Sequence, residues 1–139
     1  PLGIDVTWSR VYEMLADAYL RDGQFENAIN AYHGVLQYNP YHPWEVSVYY
    51  RIGRAFYQIN DYEKTVETID SALVAAQAEG QPLDYQVYDL YGNAHFALGQ
   101  YDTAAQAYAC ALELAPDHVR RDKTEHYYKL SVDMSKQTL

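Results

Sequence analysis

Hydrophobic and small side chains recur along this chain at steps of three and four. Leu15, Ala16 and Tyr19, then Ala28, Ile29, Tyr32 and Leu36, form two such runs, and that spacing places each run on one helical face. The pattern predicts helices over residues 6–21 and 25–38, parted by Arg21-Asp22-Gly23-Gln24, where Gly23 supplies the backbone freedom of a tight turn. Asn39-Pro40-Tyr41-His42-Pro43 ends the second helix, because each proline disfavours the α conformation in the residue before it. A third helix is expected over 44–59, with Pro43 placed to open it. Asp61 can cap a fourth, which runs through Ala72-Leu73-Val74-Ala75-Ala76 to residue 79, where Gly80, Gln81 and Pro82 stop it. A fifth and a sixth flank the turn Leu98-Gly99-Gln100, and Asp122-Lys123-Thr124-Glu125 reads as a capping box that opens a seventh, to residue 136. The expectation is a wholly α-helical protein of seven helices in antiparallel pairs.

Within this scheme the stretch Tyr85 to Pro116 has a fixed internal order: Tyr88, Tyr91 and Gly92, His95, the turn, Ala104, Tyr108, Ala111 and Pro116. Gly92 and Ala104 are small where two antiparallel helices approach, and Tyr88, Tyr91 and Tyr108 fill the space beside that contact. The same order runs through Tyr12, Leu15, Ala16 and Tyr19, then Ala28, Tyr32 and Pro40. It runs again through Tyr49, Ile52, Gly53 and Phe56, with Thr65 and Ile69 where alanine and an aromatic are usual. This order resembles the tetratricopeptide repeat (TPR), W-x2-L-G-x2-Y…A-x3-F…P.

The resemblance implies an all-α fold: a right-handed α-solenoid of three TPR-like helix pairs plus a C-terminal A-type or capping helix. Repeats fall at about 6–40, 43–80 and 82–116 within a single domain over 4–139, and the final helix at 122–136. Tyr12, Tyr49, Tyr88 and Tyr127 stand 37, 39 and 39 residues apart, longer units than the family's about 34. Longer units alter the pitch of a solenoid and with it the shape of its groove. Pro1-Leu2-Gly3 reads as the remnant of a cleaved tag and is set aside.

Composition narrows what such a chain can do. A net charge of −9 is ill suited to gripping a phosphate backbone, so no nucleic-acid partner is expected. No apolar run approaches the ~20 residues of a membrane span. The lone Cys110 cannot form an intrachain disulfide, which fits a reducing compartment, and a cytoplasmic location is the expectation. Sixteen tyrosines are the odd feature, and ten of them fall on positions that the repeat fills with bulky side chains, which reads as packing. The five histidines lack an HExxH or CxxC companion, and no phosphate-cradling loop or nucleophile elbow occurs. The chain is expected to be no enzyme and to hold no metal or cofactor.

By the resemblance, the first helix of each pair (A) lines a concave groove and the second (B) the convex side. B helices hold Glu26, Asp61, Glu63, Glu67, Asp70, Glu79, Asp102 and Glu113 against Lys64, while nine of the ten basic residues lie on or beside A helices. The groove is thus the mixed-charge surface, and its candidate residues are Glu13, Asp17, Tyr50, Arg54, Tyr57, Asp89, Asn93, Phe96 and Tyr128. Aromatic and arginine side chains there are the types that dominate interface energetics. The expected function is a protein-interaction module holding a partner peptide or helix, within a larger scaffold or assembly factor. The alternatives are a structural segment that self-associates through its C-terminal helix, and a small secretion-type chaperone. The family's two-carboxylate clamp for acidic chaperone tails resembles a set of Lys, Asn and Arg side chains, yet those places hold Glu13, Asp17, Arg51, Gln86 and Leu90.

Overall fold

The computed structural model describes residues 6–39 and 45–137. Across them run α1 (Val6–Arg21), α2 (Phe25–Tyr38), α3 (Glu45–Gln58), α4 (Tyr62–Glu79), α5 (Tyr85–Ala97), α6 (Tyr101–Leu114) and α7 (Arg121–Gln137), and no strand occurs among the described residues. The protein is an all-α repeat of antiparallel helix pairs closed by one further helix. The opening of α3 at Pro43 and Trp44 lies outside the described residues, and the helix ends at Gln58. Contacts gather in two compact units, α1 to α4 and α5 to α7, divided after Glu79. No described helix is long and apolar enough to cross a membrane.

The turns inside the pairs share one geometry. Residues 23, 60 and 99 are each left-handed, with φ of 75°, 63° and 76°. Two are glycines, and the third is Asn60, a residue whose short polar side chain tolerates that conformation. In each turn the amide one residue further on closes back over five residues: Gln24 to Tyr19, Asp61 to Phe56 and Gln100 to His95, all at 2.9 Å. These bonds take up carbonyls that a helix end leaves unpaired. Asp61 also caps α4, its Oδ1 accepting from the Lys64 amide at 3.2 Å.

The seventh helix departs from expectation at its start. It opens at Arg121, so Asp122 lies in its first turn and the capping box does not form. The Thr124 amide bonds the Arg120 carbonyl at 2.9 Å, its hydroxyl is drawn away to Asp89, and Glu125 pairs with Arg121 and Lys129. Lys129, with Arg121 behind it, holds the Glu125 carboxyl below the usual range. Glu125, the far member of the box, is taken up by those two cations, and Asp122 sits inside a helix that has already begun.

Packing follows the repeat. In the first unit Ala16 of α1, Ala28, Ile29, Ala31, Tyr32 and Val35 of α2, and Val48, Ile52 and Ala55 of α3 form one buried cluster. Thr65 and Ile69, the departures from the repeat pattern, are both buried on α4, the threonine hydroxyl satisfied by the Asp61 carbonyl at 2.9 Å. In the second unit a Cβ on Gly92 would stand 2.7 Å from the Tyr108 ring, so the α5–α6 crossing requires glycine there. Tyr127 of α7 lies 6.3 Å from Tyr108 and edge-on to Phe96 at 5.3 Å, between them covering α6. Positions 16, 53, 92 and 131 are buried in every unit and hold only Ala, Gly, Gly and Ser. Small residues let the helix axes close, and the rings beside them contribute ~1.5–3 kcal/mol each by burial.

Candidate functional site

On α1, Glu13 and Asp17 stand one turn apart and so share a face. Both are engaged by one cation, Arg51 of α3, whose guanidinium is 3.6 Å from Glu13 and 3.5 Å from Asp17. Asp17 also accepts a hydrogen bond from the Tyr32 hydroxyl at 2.5 Å. Burial, then that bond and the charge of Asp17, push the Tyr32 phenol above its ordinary range. The two carboxylates thus share one cation from α3, and Asp17 a hydroxyl from α2, which leaves the group negative.

Tyr50, Arg54 and Tyr57 follow at steps of four and three on α3, again one face. The Arg54 guanidinium lies over the Tyr50 ring at 5.8 Å, a cation–π contact. Arg54 is exposed and forms no ion pair among the described residues. The hydrogen bond that fixes Asp17 has no counterpart here: fifteen places after Asp17 stands Tyr32, but fifteen after Arg54 stands Ile69, which has no hydroxyl. Tyr57 is half-buried with its ring against the edge of Tyr62 at 5.3 Å.

In the second unit Asn93 occupies the place of Asp17, and its Oδ1 accepts from the Tyr108 hydroxyl at 2.6 Å. Asp89 is not open on this face. It is buried, accepts from the Thr124 hydroxyl at 2.9 Å and meets Arg120 at 3.6 Å, so its carboxylate ties α7 to α5. Phe96 is held between Tyr101 at 5.2 Å and Tyr127 at 5.3 Å, a packing role, and Tyr128 is half-buried on α7. His95 is buried, with Nδ1 2.6 Å from Gln100 Oε1 and its ring edge-on to Tyr91 at 4.5 Å. No group of three or more His, Cys, Asp or Glu side chains among the described residues is placed to hold a metal.

The structure therefore gathers Glu13, Asp17, Tyr50, Arg54 and Tyr57 on the α1 and α3 faces of the first unit, and Asp89, Asn93, Phe96 and Tyr128 within the second. Sequence reasoning missed the two tyrosine bonds that fix Asp17 and Asn93, and the bridging part of Arg51. The recurring fifteen-residue spacing, Asp17 to Tyr32 and Asn93 to Tyr108, is the signal that carries the first.

A family model described as tetratricopeptide repeat matches residues 13–82 and again 50–119. A comparison with curated protein sequences returned no match. Among solved structures the chain is similar to the first TPR of Spaghetti (RPAP3) bound to HSP90 peptide SRMEEVD, at 17% identity over 96% of this chain and 97% of that one, TM-score 0.78. It is similar to the Arabidopsis OM64 TPR domain, at 20% identity over 88% and 95%, TM-score 0.75. A third is the TPR2B domain of yeast Sti1 in its pHsp70 complex, at 14% identity over 91% and 98%, TM-score 0.75. At these identities the likeness shows the fold.

Proposed function

The chain belongs to the tetratricopeptide repeat family, and on that premise we propose that it is a non-catalytic protein-interaction module that holds a segment of a partner protein, within a larger scaffold or assembly factor. The observation that carries this reading is Arg54: an exposed guanidinium seated on the Tyr50 ring, with Tyr57 one turn beyond. Arginine on an aromatic face is preorganised, so less rotamer freedom is lost when it meets a carboxylate. Beside it Glu13 and Asp17 share Arg51 and so offer acceptors to a cationic group. The ligand that fits is a peptide with apolar side chains and charges of both signs.

Two of the similar structures are described as complexes with HSP90 or HSP70 peptides. In this chain a purely acidic tail would approach Glu13 and Asp17, and burying carboxylate against carboxylate is unfavourable. The family's chaperone-tail clamp is therefore not the mode proposed.

Affinity capture with the chain and with an Arg54→Ala, Tyr57→Ala double variant tests this. The expected result is a protein retained by the first and lost from the second, while both give the same helical circular dichroism. Equal retention by both would contradict the reading.

A further inference from the structure

Four large apolar side chains of α1 face solvent: Trp8 at 53%, Val11 at 46%, Met14 at 72% and Leu15 at 41% exposed. On a helix of about 3.6 residues per turn, Met14, Ala18, Val11, Leu15 and Trp8 cover an arc of about 120°. That is the width of a face that packs on another helix, and the opposite side of α1 already does so, with Ala16 buried against α2 and the Ser9 hydroxyl bonded to the Val35 carbonyl at 3.3 Å. The internal repeat shows what the outer face is built for. One unit on, the residues matching Val11, Leu15 and Ala18 are Val48, Ile52 and Ala55 of α3, all at 0% exposure in the cluster that α2 covers.

The edge of the stripe carries charge. Arg10 and Arg21 are exposed and fall on the same border of the arc, about 16 Å apart along the axis. The carboxylates of α1, Glu13 and Asp17, are instead turned to Arg51. Within a chain of net charge −9 this face is apolar with a cationic rim. An antiparallel pairing with α1 of a second copy would set the two arginine edges on the same side, cation against cation.

We propose that the outer face of α1 is a second docking surface, separate from the α1 and α3 face described above, and that it receives an amphipathic helix of a partner protein, apolar along one stripe and acidic along its edge. The partner helix lies on α1 as α2 lies on α3. Burial of the stripe supplies the affinity, and Arg10 and Arg21 select the acidic edge and set its direction.

Two synthetic helical peptides test this: one with leucine and alanine at i, i+3, i+4 and i+7 and glutamates along the edges, the other its twin with lysines for the glutamates. By fluorescence anisotropy, the chain is expected to bind the glutamate peptide about tenfold or more tighter than the lysine twin. Arg10→Glu with Arg21→Glu reverses that preference. Leu15→Asp abolishes binding of both, as does Met14→Glu, which sits at the more exposed position and leaves folding intact, while Arg54→Ala changes nothing here. The proposal is overturned if neither peptide binds, if the twins bind alike, or if binding survives both apolar substitutions. It is also overturned if light scattering of the chain alone shows a dimer that Leu15→Asp dissolves, since a second copy then covers the face.

Discussion

Tyr32 and Asp17 lie fifteen residues apart and are joined hydroxyl to carboxylate over 2.5 Å; Tyr108 and Asn93 repeat that bond at the same separation over 2.6 Å. In the first and third pairs the B helix thus positions a polar side chain on its A helix. In the middle pair the tyrosine is Ile69 and the polar side chain is Arg54, left exposed. Tyr32→Phe is expected to lower stability by about 1–2 kcal/mol, since the lost bond is to a charged group, and Tyr108→Phe by about 1 kcal/mol. Urea midpoints of the two variants measure this, and unchanged midpoints would show the hydroxyls to be idle.

The same bond gives stability a pH dependence at the alkaline end. The folded chain holds the Tyr32 proton more tightly than the unfolded chain, whose tyrosines ionise near about pH 10. Its contribution is therefore whole below that pH and falls as pH rises above it, by at most about 1.4 kcal/mol per pH unit. Other tyrosines titrate in the same range, so the comparison is with Tyr32→Phe. Denaturation at pH 9 and at pH 11 should show the variant losing less than the parent; equal losses would contradict the assignment.

Gly92→Ala places a methyl 2.7 Å from the Tyr108 ring. The ring is wholly buried and cannot swing aside. Overpacking of this kind costs about 1–3 kcal/mol. A thermal midpoint equal to the parent's would show that the α5–α6 crossing can open.

Asp89 gives a test of α7. Thr124→Val leaves its buried carboxylate with Arg120, a half-exposed partner, and is expected to cost about 1–3 kcal/mol. Removal of residues 122–139 is expected to cost several kcal/mol, because Tyr127 is also lost from Phe96 and Tyr108. A truncated chain with the parent's urea midpoint would show α7 to be dispensable.

The helices were legible because their signals are local: steps of three and four, Gly23 and Gly99 in the turns, Gly80 and Pro82 after α4. Asp61 as a cap is local too. The capping box on α7 does not form because the helix already runs at Arg121 and Glu125 is taken up by Arg121 and Lys129, and the bond from Thr124 to Asp89, 35 residues away, lies outside any short window. Asp89 was legible as a charged residue on an A helix, but its burial depends on where the loop to α7 brings Arg120. Phe96 likewise lies among rings contributed by α6 and α7. Arg54 and Tyr50, four residues apart, meet within α3 alone, so their contact depends on no distant element.

A peptide ending in EEVD is expected to give no saturable heat on titration. The carboxylates of Glu13 and Asp17 would face those of the ligand, with Arg51 already shared between them. A micromolar constant would show that the acidic-tail mode survives the exchange of charge.

The most direct test of the interaction surface is calorimetric titration of the captured partner segment into the parent chain and into Arg54→Ala. Affinity is expected to weaken about tenfold or more, with the thermal midpoint unchanged, because Arg54 is exposed and joins no ion pair among the described residues. Unaltered affinity in Arg54→Ala would contradict this expectation.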